Sequence, residues 1–343
     1  MIRVAVIGAG QWGPNLIRNF HNKKTSEVAW IIDRDAGRLE EVHAHFPDVQ
    51  VAKDPEQALR DSSVQAVVVA TPTRTHYALA REALERGKHV LVEKPLTTEV
   101  KQGLELLKLA TEHRLTLMVG HVFLYNTAVR KVKEYLDAGH LGKLYYVSMV
   151  RTNLGPIRSD VNAAWDLAAH DVSIGNYWLD AEPLGVSAIG GTWINQGIED
   201  AVFATLRYPH GVLVSLHASW LNARKARDIT VVGERRMLTF DDMNLKKPLR
   251  IYDKQATDHR TRWACVDSFA SFRASVRKGD ITVPKVPFKE PLGTQCAHFL
   301  ECIVTGKQPF TGAPEGIAVV RVVEAMQRSI RARGREERVE ASC

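Results

Sequence analysis

The chain has 343 residues, 45% hydrophobic and 25% charged, which suits a soluble globular protein of about two domains and excludes disorder, collagen and coiled coil. Its 46 basic and 39 acidic residues leave a net charge of +7. The basic residues are scattered, densest from Arg328 to Arg338 among Glu336 and Glu337, so a small acidic or phosphorylated ligand is expected rather than nucleic acid.

The first 120 residues alternate short apolar runs with amphipathic stretches. Arg3 to Ile7 reads as a buried strand, Pro14 to Phe20 as a helix and Val28 to Ile32 as a strand. Val64 to Ala70 is almost continuously apolar, as a parallel strand covered on both faces would be. Thr75 is expected to cap the next helix, with Leu79, Ala83 and Leu84 at helical spacing and Gly87 as its stop. His89 to Val92 is a strand; Val100, Leu104, Leu107 and Leu109 mark a helix; Leu115 to Val119 is another strand. Such alternation predicts a doubly wound parallel sheet of Rossmann type over residues 1–120.

After residue 120 the pattern changes. One helix runs from Asn126 to Leu136 and ends at Gly139. Extended segments follow at Leu144 to Val150, Ala201 to Tyr208, Val212 to Trp220, Ile229 to Val232 and Met237 to Phe240. Pro209-His210-Gly211 and Gly233-Glu234 read as hairpin turns. Residues 121–343 are therefore expected to form a mostly antiparallel open-sheet domain, with one inserted helix from Trp165 to Leu179 and a last helix from about Gly316 to Arg331. The four cysteines, Cys265, Cys296, Cys302 and Cys343, form no C-x-x-C pair or zinc spacing and read as reduced thiols. His43-Ala44-His45 lies in a polar stretch and reads as solvated surface, so no metal is expected. The opening apolar stretch is too short for a signal-peptide core, and no run nears the roughly 18 apolar residues of a membrane span. A cytoplasmic protein is expected.

Three patterns carry chemistry. Gly8-Ala9-Gly10-Gln11-Trp12-Gly13 is a G-x-G-x-x-G at a strand end, followed by Pro14 at the first turn of a helix. Gly8 permits the tight turn, Gly10 lets backbone approach a pyrophosphate and Gly13 lets helix and strand pack closely, while the helix N-terminus presents N–H groups to the phosphates. Asp33, twenty residues after Gly13, is placed to accept from ribose hydroxyls. A carboxylate about 4 Å from a 2′-phosphate is disfavoured by several kcal/mol, which argues for NAD over NADP, although Arg34 beside it could neutralise a phosphate or lie over the adenine. Glu93-Lys94-Pro95 follows a strand, so Lys94 emerges at the sheet edge where ligands bind and can steady negative charge on a reacting oxygen. Asp166 and His170 lie four apart, on one helix face, as an oriented general base would require.

In that order and at these distances the three motifs resemble the glucose-fructose oxidoreductase / inositol dehydrogenase (Gfo/Idh/MocA) family over essentially the whole chain, including Ala70-Thr71-Pro72 and His298-Phe299…Gly306…Pro309. The resemblance implies that Lys94 and His170 are catalytic, with Asp166 supporting His170, and that a cis peptide precedes Pro95. It places Gly8, Gly10, Gln11, Trp12, Gly13, Asp33, Arg34, Thr71, Pro72, His76, Glu93 and Lys94 at the cofactor. It implies that the sheet domain binds substrate and builds a homo-dimer or homo-tetramer. Gly10 to Leu16, Gly120 to Asn126 and Arg151 to Asn162 are further similar to the branch acting on UDP-linked N-acetylamino sugars and their uronates. That branch often carries Asn at the position of Asp166 and Pro at the position of Ala169.

The resulting expectation is an NAD-dependent dehydrogenase that oxidises C3 of a nucleotide-linked N-acetyl sugar. Tyr125, Arg151, Asn153, Arg158 and Asn162 would grip the substrate, the arginines forking onto its diphosphate. The alternatives are a ketoreductase of a nucleotide-linked keto-deoxysugar, a dehydrogenase of a free sugar or inositol, and an NAD-sensing regulator without turnover.

Overall fold

A computed structural model describes residues 1–253 and 279–340; Cys265 and Cys343 lie outside the described residues. The chain forms two compact units, each drawn from three segments. The first comprises Met1–Asn126, Arg158–Ser173 and Lys289–Glu324, so beyond the 1–120 block expected from sequence it takes in two later returns of the chain.

In the first unit β1 (Ile2–Ile7), β2 (Ser26–Ile32), β3 (Gln50–Ala52), β4 (Ala66–Val69), β5 (His89–Val92) and β6 (Leu117–Val119) form a sheet ordered β3-β2-β1-β4-β5-β6. Every pairing is parallel. All four residues of β4 are buried, the consequence of helices on both sheet faces. The intervening helices are α1 (Gly13–His21), α2 (Ala36–His45), α3 (Pro55–Arg60), α4 (His76–Glu85) and α5 (Val100–Glu112).

Several details differ from the sequence reading. Strand β3 is only three residues long, too short for a periodic signal. Helices α2 and α3 are short and polar but carry side-chain caps: Asp35 accepts from the Gly37 and Arg38 N–H groups, and Asp54 from that of Glu56. His43 and His45 occupy the last turn of α2. Thr75 does not cap α4; its hydroxyl turns back to Thr71 and the Pro72 carbonyl, both 2.7 Å away. In α5 the buried face is Gly103, Leu106 and Ala110, and Leu104 is exposed. Gly103 sets that face because the Ile317 side chain lies 2.9 Å from where a Cβ would stand. A helix absent from the sequence reading, Pro291–Thr305, packs on α1, with the Phe20 and Phe299 rings edge to face at 6.3 Å.

The second unit comprises Thr127–Ile157, Ile174–Phe288 and Ala325–Cys343. Its described sheet has nine strands. In chain order these are β7 (Leu144–Leu154), β8 (Gly185–Gly191), β9 (Ala201–Arg207), β10 (Leu213–Ser219), β11 (Leu221–Gly233), β12 (Met237–Asp241), β13 (Leu249–Tyr252), β14 (Ile281–Thr282) and β15 (Glu337–Arg338), ordered β14-β13-β12-β11-β7-β10-β9-β8-β15. All pairings are antiparallel except β7 with β10. Burial alternates along β9 and β10. One face buries Val147, Met149, Ala204, Leu206, Val214 and Leu216, while the other leaves Tyr146, Ile189, Phe203 and Leu213 exposed. Among the described residues no helix is long and apolar enough to cross a membrane.

Candidate active site

Chemistry-bearing side chains collect where the strands of the first sheet end. After β1 the backbone turns at Gly8, whose φ of +107° favours glycine and whose Cβ would lie 2.5 Å from the Ala70 carbonyl oxygen. A Cβ on Gly13 would lie 2.0 Å from the Gly8 carbonyl oxygen, so glycine is required where α1 meets the turn. At Gly10 a Cβ would meet only the Arg38 guanidinium, at 3.5 Å. Trp12 stands at the N-cap of α1 without a side-chain hydrogen bond to the helix. An open approach at Gly10 and a helix N-terminus without a side-chain cap fit a dinucleotide diphosphate.

Asp33 ends β2. One carboxylate oxygen accepts the Ala9 N–H at 2.8 Å and the other the Asp35 N–H at 2.9 Å, which fixes the turn against the second strand. Arg34 follows Asp33, but the guanidinium placed beside its carboxylate is that of Arg38, 3.9 Å away. The sequence reading passed over Arg38, since nothing in one sequence distinguishes it from a solvated arginine on α2.

Past β4, Thr71 and Pro72 lead into a short 3₁₀ turn and then His76, which is buried with Nδ1 2.8 Å from the Pro95 carbonyl oxygen and Nε2 2.9 Å from that of Thr71. Burial depresses its pKa despite both carbonyls, and the charges of Arg158 and Lys94 push the same way. His76 therefore holds protein backbone rather than presenting a ring to solvent.

Past β5 comes Glu93, half-buried, accepting the Trp12 indole N–H at 2.9 Å and the Lys94 main-chain N–H at 3.3 Å. Its carboxylate fills the space a Cβ on Gly120 would need. Burial pushes its pKa up to about 7, against the lowering effects of Lys94 and the Trp12 bond. The Lys94–Pro95 peptide is cis. Lys94 Nζ donates to the Asp166 main-chain oxygen at 2.6 Å and to Asp166 Oδ1 at 3.1 Å.

Asp166 lies in the wide turn Ala164–Ala168, which runs into α6 (Ala169–Leu179), and His170 lies in the first turn of α6. The Phe123 ring packs edge-on against the His170 ring at 4.8 Å. Past β6, His121 is buried, and neither ring nitrogen has a hydrogen-bond partner among the described residues. Burial, reinforced by the Lys94 charge, pushes its pKa down to about 3, so this imidazole is neutral. The Phe123 contact with His170, the burial of His121 and the partial burial of Glu93 were not anticipated as site features; the parallel topology, which brings the ends of β5 and β6 together, places them.

The residues expected to grip a substrate are dispersed. Arg158 joins the Lys94 group: Nη1 donates to Asp166 Oδ1 at 3.2 Å, and Nε and Nη2 fork onto Asp160 at 2.9 and 2.7 Å. Asn162 is buried and accepts the Trp165 N–H at the start of the wide turn. Tyr125 is in the core, its hydroxyl 3.1 Å from Thr311 Oγ1 and its ring against His298 and Phe310. Arg151, buried, and Asn153 lie on β7 of the second unit.

Among the described residues no group of three or more His, Cys, Asp or Glu side chains is arranged to hold a metal ion. A family profile described as an oxidoreductase family with an NAD-binding Rossmann fold matches residues 2–121, and a GFO/IDH/MocA C-terminal domain profile matches 129–239. The UDP-N-acetylglucosamine 3-dehydrogenase of Acidithiobacillus ferrooxidans is 30% identical over 266 residues, 74% of this chain and 78% of that one. Its solved structure superposes with a TM-score of 0.81 at 25% identity, covering 96% of this chain and 98% of that one. An inositol 2-dehydrogenase of Mycolicibacterium smegmatis is 31% identical over 217 residues, 61% of this chain and 63% of that one.

Proposed function

The chain belongs to the Gfo/Idh/MocA oxidoreductases and carries their NAD-binding Rossmann domain, and from that premise we propose that it oxidises the C3 hydroxyl of a UDP-linked N-acetylamino sugar, or of its uronate, to the 3-keto sugar. The observation that carries the reading is the Lys94 ammonium, held on Asp166 at the end of β5 just before the His170 turn. Similarity to the UDP-N-acetylglucosamine 3-dehydrogenase supplies the substrate class.

When bound, NAD supplies the hydride acceptor. In this reading Gly8, Gly10, Gly13 and the N-terminus of α1 hold its diphosphate, and Asp33 with Arg34 or Arg38 its adenosine ribose. Gln11, Trp12, Thr71, Pro72 and Glu93 line the remainder. His170, half-buried and steadied by the Phe123 ring, takes the proton of the substrate hydroxyl, a role typically worth about 10²–10⁴ in rate. Lys94 donates to the same oxygen as charge develops on it. Asp166 fixes Lys94 and orients the His170 turn. Arg158, Asn162 and Tyr125 are bonded to protein groups. The exposed apolar sheet face of Tyr146, Ile189, Phe203 and Leu213 is the surface on which a homo-dimer or tetramer assembles. The expected setting is the cytoplasm.

The inositol 2-dehydrogenase match favours a second reading, oxidation of a free cyclic polyol. Purified protein with NAD should give the NADH absorbance band with UDP-N-acetylglucosamine or its uronate, and not with inositols; the reverse outcome selects the second reading.

A further inference from the structure

We propose that Arg158 and Asp160 are positioning residues, a rigid tie from the end of β4 that fixes the Asp166 carboxylate on Lys94. The proposal rests on the dehydrogenase reading above and adds two residues that act without touching the substrate.

The tie can be followed group by group. Although burial opposes it, the Asp160 carboxyl is held below its ordinary pKa by Arg158 and, less, by the main chain of Thr73, just past β4. Asp160 takes the Arg158 guanidinium as a two-pronged fork, at 2.9 and 2.7 Å, and the remaining Arg158 nitrogen reaches Asp166 Oδ1 at 3.2 Å. That same oxygen receives Lys94 Nζ at 3.1 Å. The chain thus leaves the sheet at β4 and returns at Lys94, beyond β5, the neighbouring strand. Charges alternate along it: Lys94 positive, Asp166 negative, Arg158 positive, Asp160 negative.

A planar guanidinium fixes direction as well as charge, so Arg158 dictates where Asp166 Oδ1 sits in a way a lysine could not. The carboxylate is the only side chain to which the Lys94 ammonium is seen to donate among the described residues, so an error in Asp166 becomes an error in Lys94. A displacement of about 1 Å at such a group can cost about 10²-fold in rate. The remaining charged and titratable groups felt at this cluster are Glu93, His76 and His121; Glu93 is tied to Trp12 and His76 to two carbonyls. Each guanidinium nitrogen of Arg158 donates to Asp160 or Asp166. In this proposal the side chain acts on the protein, in place of the diphosphate grip its position in the sequence suggested.

The test is steady-state kinetics with whichever alcohol yields NADH, so that an error in substrate class leaves the measurement possible. Arg158→Met should lower kcat by roughly 30–100-fold, with KM for the alcohol within about 3-fold and NADH affinity by fluorescence unchanged. Arg158→Lys should recover part of the loss. Combined with Asp166→Asn, Arg158→Met should add little, because both act through one carboxylate. Asp160→Asn, a milder change that keeps the assay informative if Arg158→Met does not fold, should cost several-fold in kcat alone. A KM raised 10–100-fold with kcat retained would make Arg158 a substrate contact, and an unchanged kcat would remove it from the machinery; either result overturns the proposal. If no alcohol is oxidised, crystals of the Arg158→Met NAD complex decide. The Lys94 Nζ to Asp166 Oδ1 contact should open beyond about 4 Å, the outer limit of an ion pair; a retained contact refutes the tie.

Discussion

The two units use their sheets in opposite ways. In the first, parallel strands are covered on both faces, so β4 has no exposed residue and polar chemistry is confined to the strand ends, where Gly8, Thr71, Lys94 and His121 follow β1, β4, β5 and β6. In the second, burial alternates along β9 and β10, and one sheet face is left bare with Tyr146, Ile189, Phe203 and Leu213 on it. A sheet with two covered faces can place function only at its edge; a sheet with one bare face offers a surface for association. Turnover and assembly should therefore respond to different substitutions.

The largest separation is expected at His170. His170→Ala should lower kcat by about 10²–10⁴, leaving NADH affinity and oligomer size unchanged. Lys94→Ala should cost about 10²–10³, the size of a lost donor to a developing oxyanion, again without change in assembly; loss of oligomer in either variant would show that the site and the bare face are not separable. The converse is Phe203→Glu. Phe203 stacks on His217 at 4.4 Å in the exposed row, and a charge there should shift the protein toward monomer by light scattering with kcat changed less than about 3-fold. An unaltered oligomer, or a monomer from the start, would break the comparison at its second limb.

Gly13 tests the edge itself. A methyl group 2.0 Å from the Gly8 carbonyl oxygen cannot be accommodated without moving the turn, so Gly13→Ala should cost about 1–3 kcal/mol of stability and weaken NAD binding by titration. The smallest effect concerns Glu93. Its carboxyl is pushed from 4.5 up to about 7 by burial, so the folded protein holds a proton there that the unfolded chain has lost. Stability from this group is complete below pH 4.5 and declines as pH rises to about 7. Glu93→Gln should narrow the difference in thermal midpoint between pH 5 and pH 8 by a few degrees; an undiminished difference would mean that Glu93 does not titrate there.

How far the sequence reaches follows the same division. Strand and helix alternation, the glycine turn and Lys94 after β5 were legible because parallel strands covered on both faces are continuously apolar and their ends are marked by Gly and Pro. Strand β3 and helices α2 and α3 were missed because they are short and are set by Asp caps rather than by an apolar stripe. The buried face of α5 was misread because Gly103, not Leu104, faces Ile317. At the site Asp166 and His170 could be picked out by spacing alone. Arg158 could be seen to be near, but whether its guanidinium meets a ligand or Asp160 is decided by folding. His121 and Phe123 stood in the Gly120 to Asn126 stretch that carries the resemblance, but nothing there gave them a place at the site, since what places them is the adjacency of β5 and β6.

The central claim, oxidation at C3 of a nucleotide-linked amino sugar, is most directly tested with UDP-N-acetylglucosamine carrying deuterium at C3. Purified protein should transfer that deuterium to NAD, seen as a one-mass-unit gain in the NADH recovered by mass spectrometry. NADH formed without the gain, or formed only from a free inositol, would contradict it.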